Sequence, residues 1–278
     1  MKEEPFSIVR LGLGDETHMS LDLLMSGKID LESYLTPQSN MNGIYSRTND
    51  IKKFELFGKI YMEAVMNSDL MASFTFQAVN RGRDIRKVQN FLADRFNLKQ
   101  IHSRSVEPFY SIISYPQEKP WTHALKGKKV LIINPFVASF KKQMENNFKM
   151  FTSGHPLFLE DQEFVFYKSY QTIAGNHIHE DWSETFKLMC DEIKQIEFDI
   201  ALLGCGGYGL PLCNFMKSEL GKSAIYIGGG LQLLFGVMGA RWENRPEFKE
   251  LIRDGIFIRP SLEEMPPRAK TIENGCYW

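Results

Sequence analysis

Little in this chain points to the specialised classes that composition can betray. Its four cysteines, Cys190, Cys205, Cys213 and Cys276, make no CxxC pair and no disulfide-like spacing. That excludes a disulfide scaffold and fits free thiols in a reducing compartment. Long apolar runs are missing too. The longest, Leu231 to Ala240, is interrupted by Gln232, Gly236 and Gly239, well short of the roughly 18 apolar residues of a membrane span. The opening residues MKEEPFSIVRLG lack the apolar core of a secretory signal. The expectation is a cytoplasmic protein with no transmembrane segment. Charge of one sign is absent as well: 33 Lys and Arg against 34 Asp and Glu leave a net charge of −1. No global field recruits nucleic acid or an anionic membrane. The aromatic residues are spread along the chain rather than interleaved with a basic patch, so nucleic acid is not an expected partner. There is no internal repeat and no low-complexity segment.

What the chain does have is glycine, concentrated in one place. Ten of its 21 glycines lie between Phe198 and Trp242. Phe198–Leu203 is a short apolar run, and Gly204-Cys205-Gly206-Gly207-Tyr208-Gly209 follows at once. Leu212, Phe215, Met216 and Leu220 then recur at helical spacing, which makes the glycines a strand-to-helix turn. Lys222–Ile227 reads as the next strand and runs into Gly228-Gly229-Gly230. On adjacent parallel strands, the two turns would lie side by side at the carboxyl edge of a sheet, where α/β proteins bind ligands. Bare N–H groups at a helix start favour an anion such as a diphosphate. Gly204, Gly206 and Gly209 satisfy G-x-G-x-x-G, but that fingerprint also needs an acid at the end of the second strand to hold a ribose. Here that strand ends Ile225-Tyr226-Ile227-Gly228, which argues against a dinucleotide. Tight packing explains some of these glycines equally well. The triple Gly228–Gly230 reads as packing nothing, which favours a ligand there.

The rest of the chain alternates. Phe6–Leu11 reads as a strand, Thr17–Ser26 as a helix, Gly27–Asp50 as a loop. A helix begins at Ile51, with Phe54, Phe57, Tyr61 and Val65 on one face. Leu70–Phe76 is a strand, and Ile85 to Leu92 marks a helix. The stretch from His102 to Pro120, punctuated by Pro108, Pro116 and Pro120, reads as the connection between two halves, residues 1–119 and 120–278. The second half reads β-α-β-α-β-α-β: strand Val130–Ile133, helix Ala138–Phe151, strand Phe164–Tyr170, helix Ser183–Ile196, then the two glycine-tipped strands. The fold class is therefore α/β and Rossmann-like, with two parallel sheets or one continuous, mostly parallel sheet flanked by helices. The tail ends in Cys276-Tyr277-Trp278, apolar enough to dock on the domain.

Several side-chain sets can carry chemistry. Arg10-Leu11-Gly12-Leu13-Gly14-Asp15-Glu16 places an arginine, two glycines and two carboxylates at the first strand end, suited to a diphosphate and a hard divalent cation. A helix-capping turn with solvated acids is the other reading. Gln232, Arg241, Trp242, Asn244 and Arg245 follow the second glycine turn. Arg241 can clamp a phosphate, and Trp242 can stack on a ring or anchor the core. Tyr208 can reach a ligand or cover the helix. His177-Ile178-His179, if on a strand, turns both rings to one face. His18 is a lone acid–base candidate, and Cys205 sits where a helix start can activate a thiol.

The stretch from Phe6 to Asp15 resembles the start of bacterial GT-D-type glycosyltransferases, in which a first strand runs into an Arg-aromatic-Gly-Asp-Gly-Glu turn. Pro120-Trp121, Lys126 to Leu131, Pro135-Phe136, Gly204–Pro211, Gly228–Trp242 and Glu273 to Trp278 resemble a related group from polysaccharide gene clusters. The resemblance implies a GT-D-like fold and transfer of a sugar from a nucleotide-sugar donor to a glycan or lipid-linked acceptor. Carried over by position, Arg10, Gly12 and Gly14 match the turn. Leu13 stands where the family has its first metal-binding acid and Asp15 where it has Glu. By that resemblance Arg10, Gly204, Gly206 and Gly207 would hold the diphosphate, with Gly228, Gly229 and Gln232 beside it. Asp15 or Glu16 would bind Mg²⁺ or Mn²⁺ or activate the acceptor, and Arg241 would offset charge on the leaving group. A non-catalytic nucleotide-sugar or glycan binder of the same pathway is the alternative, and a homo-oligomer is left open.

Overall fold

The computed structural model describes residues 4–12, 14–36, 41–74, 78–107, 119–145, 157–159, 162–243, 245–248 and 257–278. Leu13, Pro37, Asn40, Phe76, Pro108, Pro116, Asn244 and the second half of the helix read at 138–151 lie outside them. In chain order the strands are β1 (Ser7–Arg10), β2 (Leu70–Ser73), β3 (Val79–Asn80), β4 (Arg83–Asp84), β5 (Lys99–His102), β6 (Lys129–Asn134), β7 (Glu163–Lys168), β8 (Ile200–Leu203) and β9 (Ser223–Tyr226). Seven of them form one sheet in the order β5-β2-β1-β9-β8-β6-β7, and every pairing in it is parallel. The sheet is thus continuous across both halves, joined where Ile8 of β1 pairs with Ile225 of β9. β3 and β4 make a separate antiparallel hairpin.

The middle of the sheet is apolar on both faces because helices cover both sides. β8 is buried at every position and β6 at all but its first. Side chains alternate between two cores: Leu131, Ile133, Ala201 and Leu203 enter one, Val130, Ile132, Ile200 and Leu202 the other. The first core takes the buried faces of α1 (Asp15–Ser26), α2 (Ile51–Met66) and α6 (Gly209–Ser218). The second takes α4 (Val137–Glu145), represented by Phe140, which stacks on Phe235 with ring centroids 4.7 Å apart.

Local signals start and stop these helices. Asp50 caps α2, Asp84 caps α3 (Ile85–Phe96) and Asp181 caps α5 (Trp182–Ile193), each accepting backbone N–H groups of the first turn. Gly27 ends α1 at φ 73°, donating its N–H to Leu23, a left-handed stop that suits glycine. The loop from 27 to 50 is fastened to the sheet's carboxyl edge. Trp182 N–H donates to the Tyr45 carbonyl at 2.9 Å and Thr172 Oγ1 to the Gly43 carbonyl at 2.7 Å. The tail docks as expected, with Trp278 nearly buried and its indole N–H donated to the Glu264 carbonyl.

Candidate functional site

All seven parallel strands point their carboxyl ends into one cleft of about 1010 Å³, a volume suited to a ligand of nucleotide-sugar size. Because β1, β9 and β8 are neighbours in the sheet, the turns after Arg10, Tyr226 and Leu203 lie side by side there.

The first turn is built around Glu16. Its carboxyl folds back over the chain: a Cβ on Gly12 would lie 1.8 Å from Glu16 Oε1, and one on Gly14 would lie 2.3 Å from Oε2. The two glycines leave the space that the carboxyl occupies in this arrangement. Asn42 donates a side-chain hydrogen bond to the Glu16 carboxyl, and Oε2 has no partner among the described residues. Glu16 is 4% exposed. Burial raises its pKa to about 7, with Asp15 adding to the rise; its own backbone N–H, Asn42 and Arg10 oppose it. A carboxyl that titrates near neutrality in a cleft is poised to exchange a proton.

Asp15 lines the cleft too, and its Oδ2 has no partner among the described residues. Its Oδ1 accepts from Arg81 Nε at 2.6 Å, from the hairpin between β3 and β4. His18 is fully buried, does not line the cleft, and has no partner for either ring nitrogen among the described residues. Burial, then Arg83, pushes its pKa below the usual value. The unfolded chain therefore takes up this proton first, and the imidazole's own contribution to stability falls as pH drops below about 6.5, opposite in sign to that of Glu16 over the same range. His18→Leu should remove that contribution; its difference from wild type in unfolding free energy, taken at pH 5 and at pH 7, reads it. An equal difference at both pH values would show that the imidazole is not the source.

The Gly204–Gly209 turn is occupied by packing. Gly204 N–H donates to Ile133, Gly207 N–H to Asn42 and Tyr208 N–H to Cys205, which leaves Cys205 and Gly206 as the residues of this turn whose N–H groups have no acceptor among the described residues. Cβ atoms would lie 2.6 Å from the Gly228 carbonyl at Gly204, 3.0 Å from the Asn42 carbonyl at Gly206 and 2.1 Å from the Tyr226 ring at Gly209. The glycines admit neighbouring backbone and a buried tyrosine. Tyr208 is 1% exposed, shares a hydrogen bond with Thr172 at 2.8 Å and stacks on Trp182. Cys205 is buried and its thiol pKa pushed up by burial, the opposite of an activated nucleophile.

The second glycine turn is the open one. Nothing among the described residues accepts the N–H of Gly228 or Gly229. The expectation that these glycines pack nothing needs correcting. Gly228, at φ 75°, would place a Cβ 3.4 Å from the Arg10 guanidinium, and Gly229 would place one 2.8 Å from the Tyr277 ring. Arg10 reaches across to Glu107 at 2.5 Å and to the Ile227 carbonyl at 3.2 Å. Burial works against its charge, and Glu107 more than restores it. On the far side Arg241 lies 4.4 Å from the Tyr277 ring centroid and donates to the Tyr277 hydroxyl at 3.0 Å and to Glu273 at 2.5 Å. Trp242 is buried beside them with its ring centroid 6.4 Å from that of Tyr277, and Gln232 holds the Tyr277 carbonyl at 3.2 Å. Two guanidinium groups thus flank two free N–H groups.

A resident Mg²⁺ or Mn²⁺ needs several hard oxygens. Asp15 has given one to Arg81, and among the described residues no group of three or more His, Cys, Asp and Glu side chains gathers as a cation site. Two carboxylate oxygens of the cleft, Asp15 Oδ2 and Glu16 Oε2, are buried without a partner among the described residues, and with a donor's phosphates they are the oxygens that would hold such an ion. His177 and His179 sit in a loop, not on a strand: His177 stacks on Tyr45 at 4.1 Å, and His179 pairs with Thr185 at 2.9 Å. Arg245 lines the cleft and is exposed.

Asn42, Arg81, Glu107, Tyr226 and Tyr277 are site residues that the sequence reading missed. Only Asn42 carried a signal, as part of an Asn- and Gly-bearing loop. Tyr226 lies under Gly209 and donates to the Gly206 carbonyl at 3.1 Å.

A family described as the GT-D fold-like domain matches residues 1–234 of the chain. No curated protein and no solved structure matches it.

Proposed function

The chain belongs to the GT-D fold-like family, and on that premise we propose that its cleft takes a nucleotide-sugar and moves the sugar to a hydroxyl of a glycan or lipid-linked acceptor. One observation carries the reading: a carboxyl, Glu16, buried in a cleft lined by arginines with its Oε2 unpartnered among the described residues, where burial pushes its pKa up to about 7. The donor diphosphate lies along the free N–H groups of Gly228 and Gly229, with Arg10 at one side and Arg241 at the other. Tyr277 and Trp242 border the ring-bearing part of the donor. Glu16, ionised, takes the acceptor hydroxyl proton as the new C–O bond forms. The bond from the anomeric carbon to the diphosphate breaks, and its electron pair leaves with the diphosphate. Arg10 and Arg241 stabilise the charge that develops there. Asn42, holding both the Glu16 carboxyl and the Gly207 N–H, keeps the acid in register with the glycine turns.

The test is nucleotide release from UDP-, GDP-, CMP- and dTDP-sugars with candidate acceptors, after a thermal-shift screen has picked the donor. Glu16→Gln should lower turnover by about 100-fold or more and leave donor binding in place. Full turnover in Glu16→Gln would overturn the role of this acid. Leu13, where the related turn has an acid, favours a second reading, a binder that performs no transfer. Tight donor binding by wild type without nucleotide release would select it.

A further inference from the structure

On the reading of the cleft as a nucleotide-sugar site, we propose that its end over β6 and β7 seats an uncharged, hydroxyl-bearing ring, a neutral sugar unit held by the Ser169 hydroxyl and the Gln171 amide.

The two ends of the cleft differ in charge. Arg10, Asp15 and Glu16 line it after β1, and Arg241 and Arg245 line it beyond β9. Residues 134–136 and 169–173, which line it after β6 and β7, include no carboxylate, lysine, arginine or histidine.

Most polar side chains of this neutral end are committed to the fold. Asn134 Nδ2 donates to the Gly204 carbonyl at 2.8 Å, and Asn134 Oδ1 accepts the Phe136 N–H at 2.9 Å. The Tyr170 hydroxyl donates to Glu192 at 3.1 Å, and Thr172 Oγ1 is held by the Gly43 carbonyl and the Tyr208 hydroxyl. Two side chains are left over. Ser169 is 3% exposed, and its Oγ has no partner among the described residues. Gln171 is half-buried, and its side-chain amide makes no hydrogen bond to a described residue. A buried hydroxyl without a partner is uncommon enough to call for an explanation. A hydroxyl and an amide each donate and accept, which matches the hydroxyls of a sugar ring. Neither offsets a charge, and a charge taken out of water without a partner is costly. Phe136, edge-on to Trp278 with ring centroids 6.2 Å apart, adds apolar surface for the C–H face of such a ring.

The wall between the phosphate turn and Ser169 is continuous. The Ser169 N–H donates to the Asn134 carbonyl at 3.2 Å, Asn134 holds Gly204, and a Cβ on Gly204 would lie 2.6 Å from the Gly228 carbonyl. A ligand with its diphosphate on Gly228 and Gly229 therefore meets the neutral end with its own sugar or with the acceptor sugar beside it.

Titration calorimetry on the full chain separates these sources, with UDP and GDP as bare diphosphates and UDP-glucose, UDP-galactose, UDP-N-acetylglucosamine and GDP-mannose as sugar nucleotides. Ser169→Ala and Gln171→Ala should each weaken the sugar nucleotide that binds by about tenfold, the loss of one hydrogen bond, and alter the affinity for its bare diphosphate by less than about twofold. That result assigns the seat to the donor sugar. Unaltered sugar nucleotides, with neutral glycans on an array bound by wild type and lost by both variants, assign it to the acceptor. UDP-glucuronic acid and glycans ending in a uronic acid should bind about tenfold more weakly than their neutral counterparts; equal binding would overturn the neutral character of the seat. Unliganded Ser169→Ala should be at least as heat-stable as wild type, since it loses no bond. A lower melting temperature would show that the hydroxyl is spent on the fold and would overturn its role. Glycans bound through Ser169 and Gln171 without any binding of UDP or GDP would sink the diphosphate reading and leave the seat standing. Bare diphosphates bound, with no ligand sensitive to either substitution, would sink the seat and leave the diphosphate reading standing.

Discussion

Glu16→Gln should make the protein more stable as it makes it inactive. The wild-type carboxyl keeps its proton up to about pH 7, against an ordinary value of 4.5. Between those two values the unfolded chain has lost the proton and the folded chain has not. Glu16 therefore makes unfolding easier as pH rises through that window, by about 1.4 kcal/mol per unit. The full cost, on the order of 3 kcal/mol, is present above pH 7. Glutamine has the same shape and no proton to lose, and its amide still offers an oxygen to Asn42. The variant should match wild type near pH 4.5 and exceed it by on the order of 3 kcal/mol at pH 8, several degrees in melting temperature. Denaturant curves at the two pH values make the comparison. A gain of equal size at both would mean that packing, not the proton, is responsible. No gain at pH 8 would mean that Glu16 is not held neutral. Stability that rises when an acid is removed marks a residue kept for function.

The second large effect runs against helix propensity. Gly209 is the first residue of α6, and alanine there would ordinarily stabilise by up to about 1 kcal/mol. In this chain a Cβ would lie 2.1 Å from Tyr226 Cε2 and 2.8 Å from Cζ. The ring cannot swing away cheaply, because it is buried and its hydroxyl is tied to the Gly206 carbonyl. Gly209→Ala should therefore destabilise by about 2–3 kcal/mol, the usual range for overpacking. Adding Tyr226→Leu should return part of that loss, a non-additivity expected only of residues in contact. Gly209→Ala as stable as wild type would place the ring elsewhere.

These cases show what the sequence makes legible. The central strands are plain because burial on both faces leaves an unbroken apolar run, as in Val130-Leu131-Ile132-Ile133. β5, Lys99-Gln100-Ile101-His102, is not: as an edge strand it is mostly exposed, so nothing in its composition separates it from a loop. The site's location was readable because strand-end glycines on neighbouring strands must meet. What each glycine does was not. Gly204, Gly207 and Gly209 look like part of an anion cradle and serve as packing joints, whereas Gly228 and Gly229 pack on Arg10 and Tyr277 and still leave their N–H groups without an acceptor among the described residues. The difference lies in partners distant in sequence, Asn42 for Gly207 and Tyr226 for Gly209. The partners of the acids were hidden for a like reason. Asp15 holds the motif position, and one of its oxygens meets Arg81, 66 residues on. Glu16 takes the central place because Gly12 and Gly14 leave room for its carboxyl.

The seam between β1 and β9 has a consequence for how the molecule comes into being. Arg10 and the Ile227 carbonyl that it holds are 217 residues apart in the chain. At a synthesis rate of about 5–20 residues per second, β1 waits roughly 10 to 45 s for its neighbour. Until then Ile8 and Val9 have β2 on one side and an unsatisfied edge on the other, and contacts of such long range close slowly. The cleft has no partial form: Arg10 and Glu16 come from one side of that seam, and Gly228 and Arg241 from the other. A nascent chain thus has no complete cleft until that seam has closed and the tail that carries Glu273 and Tyr277 has followed.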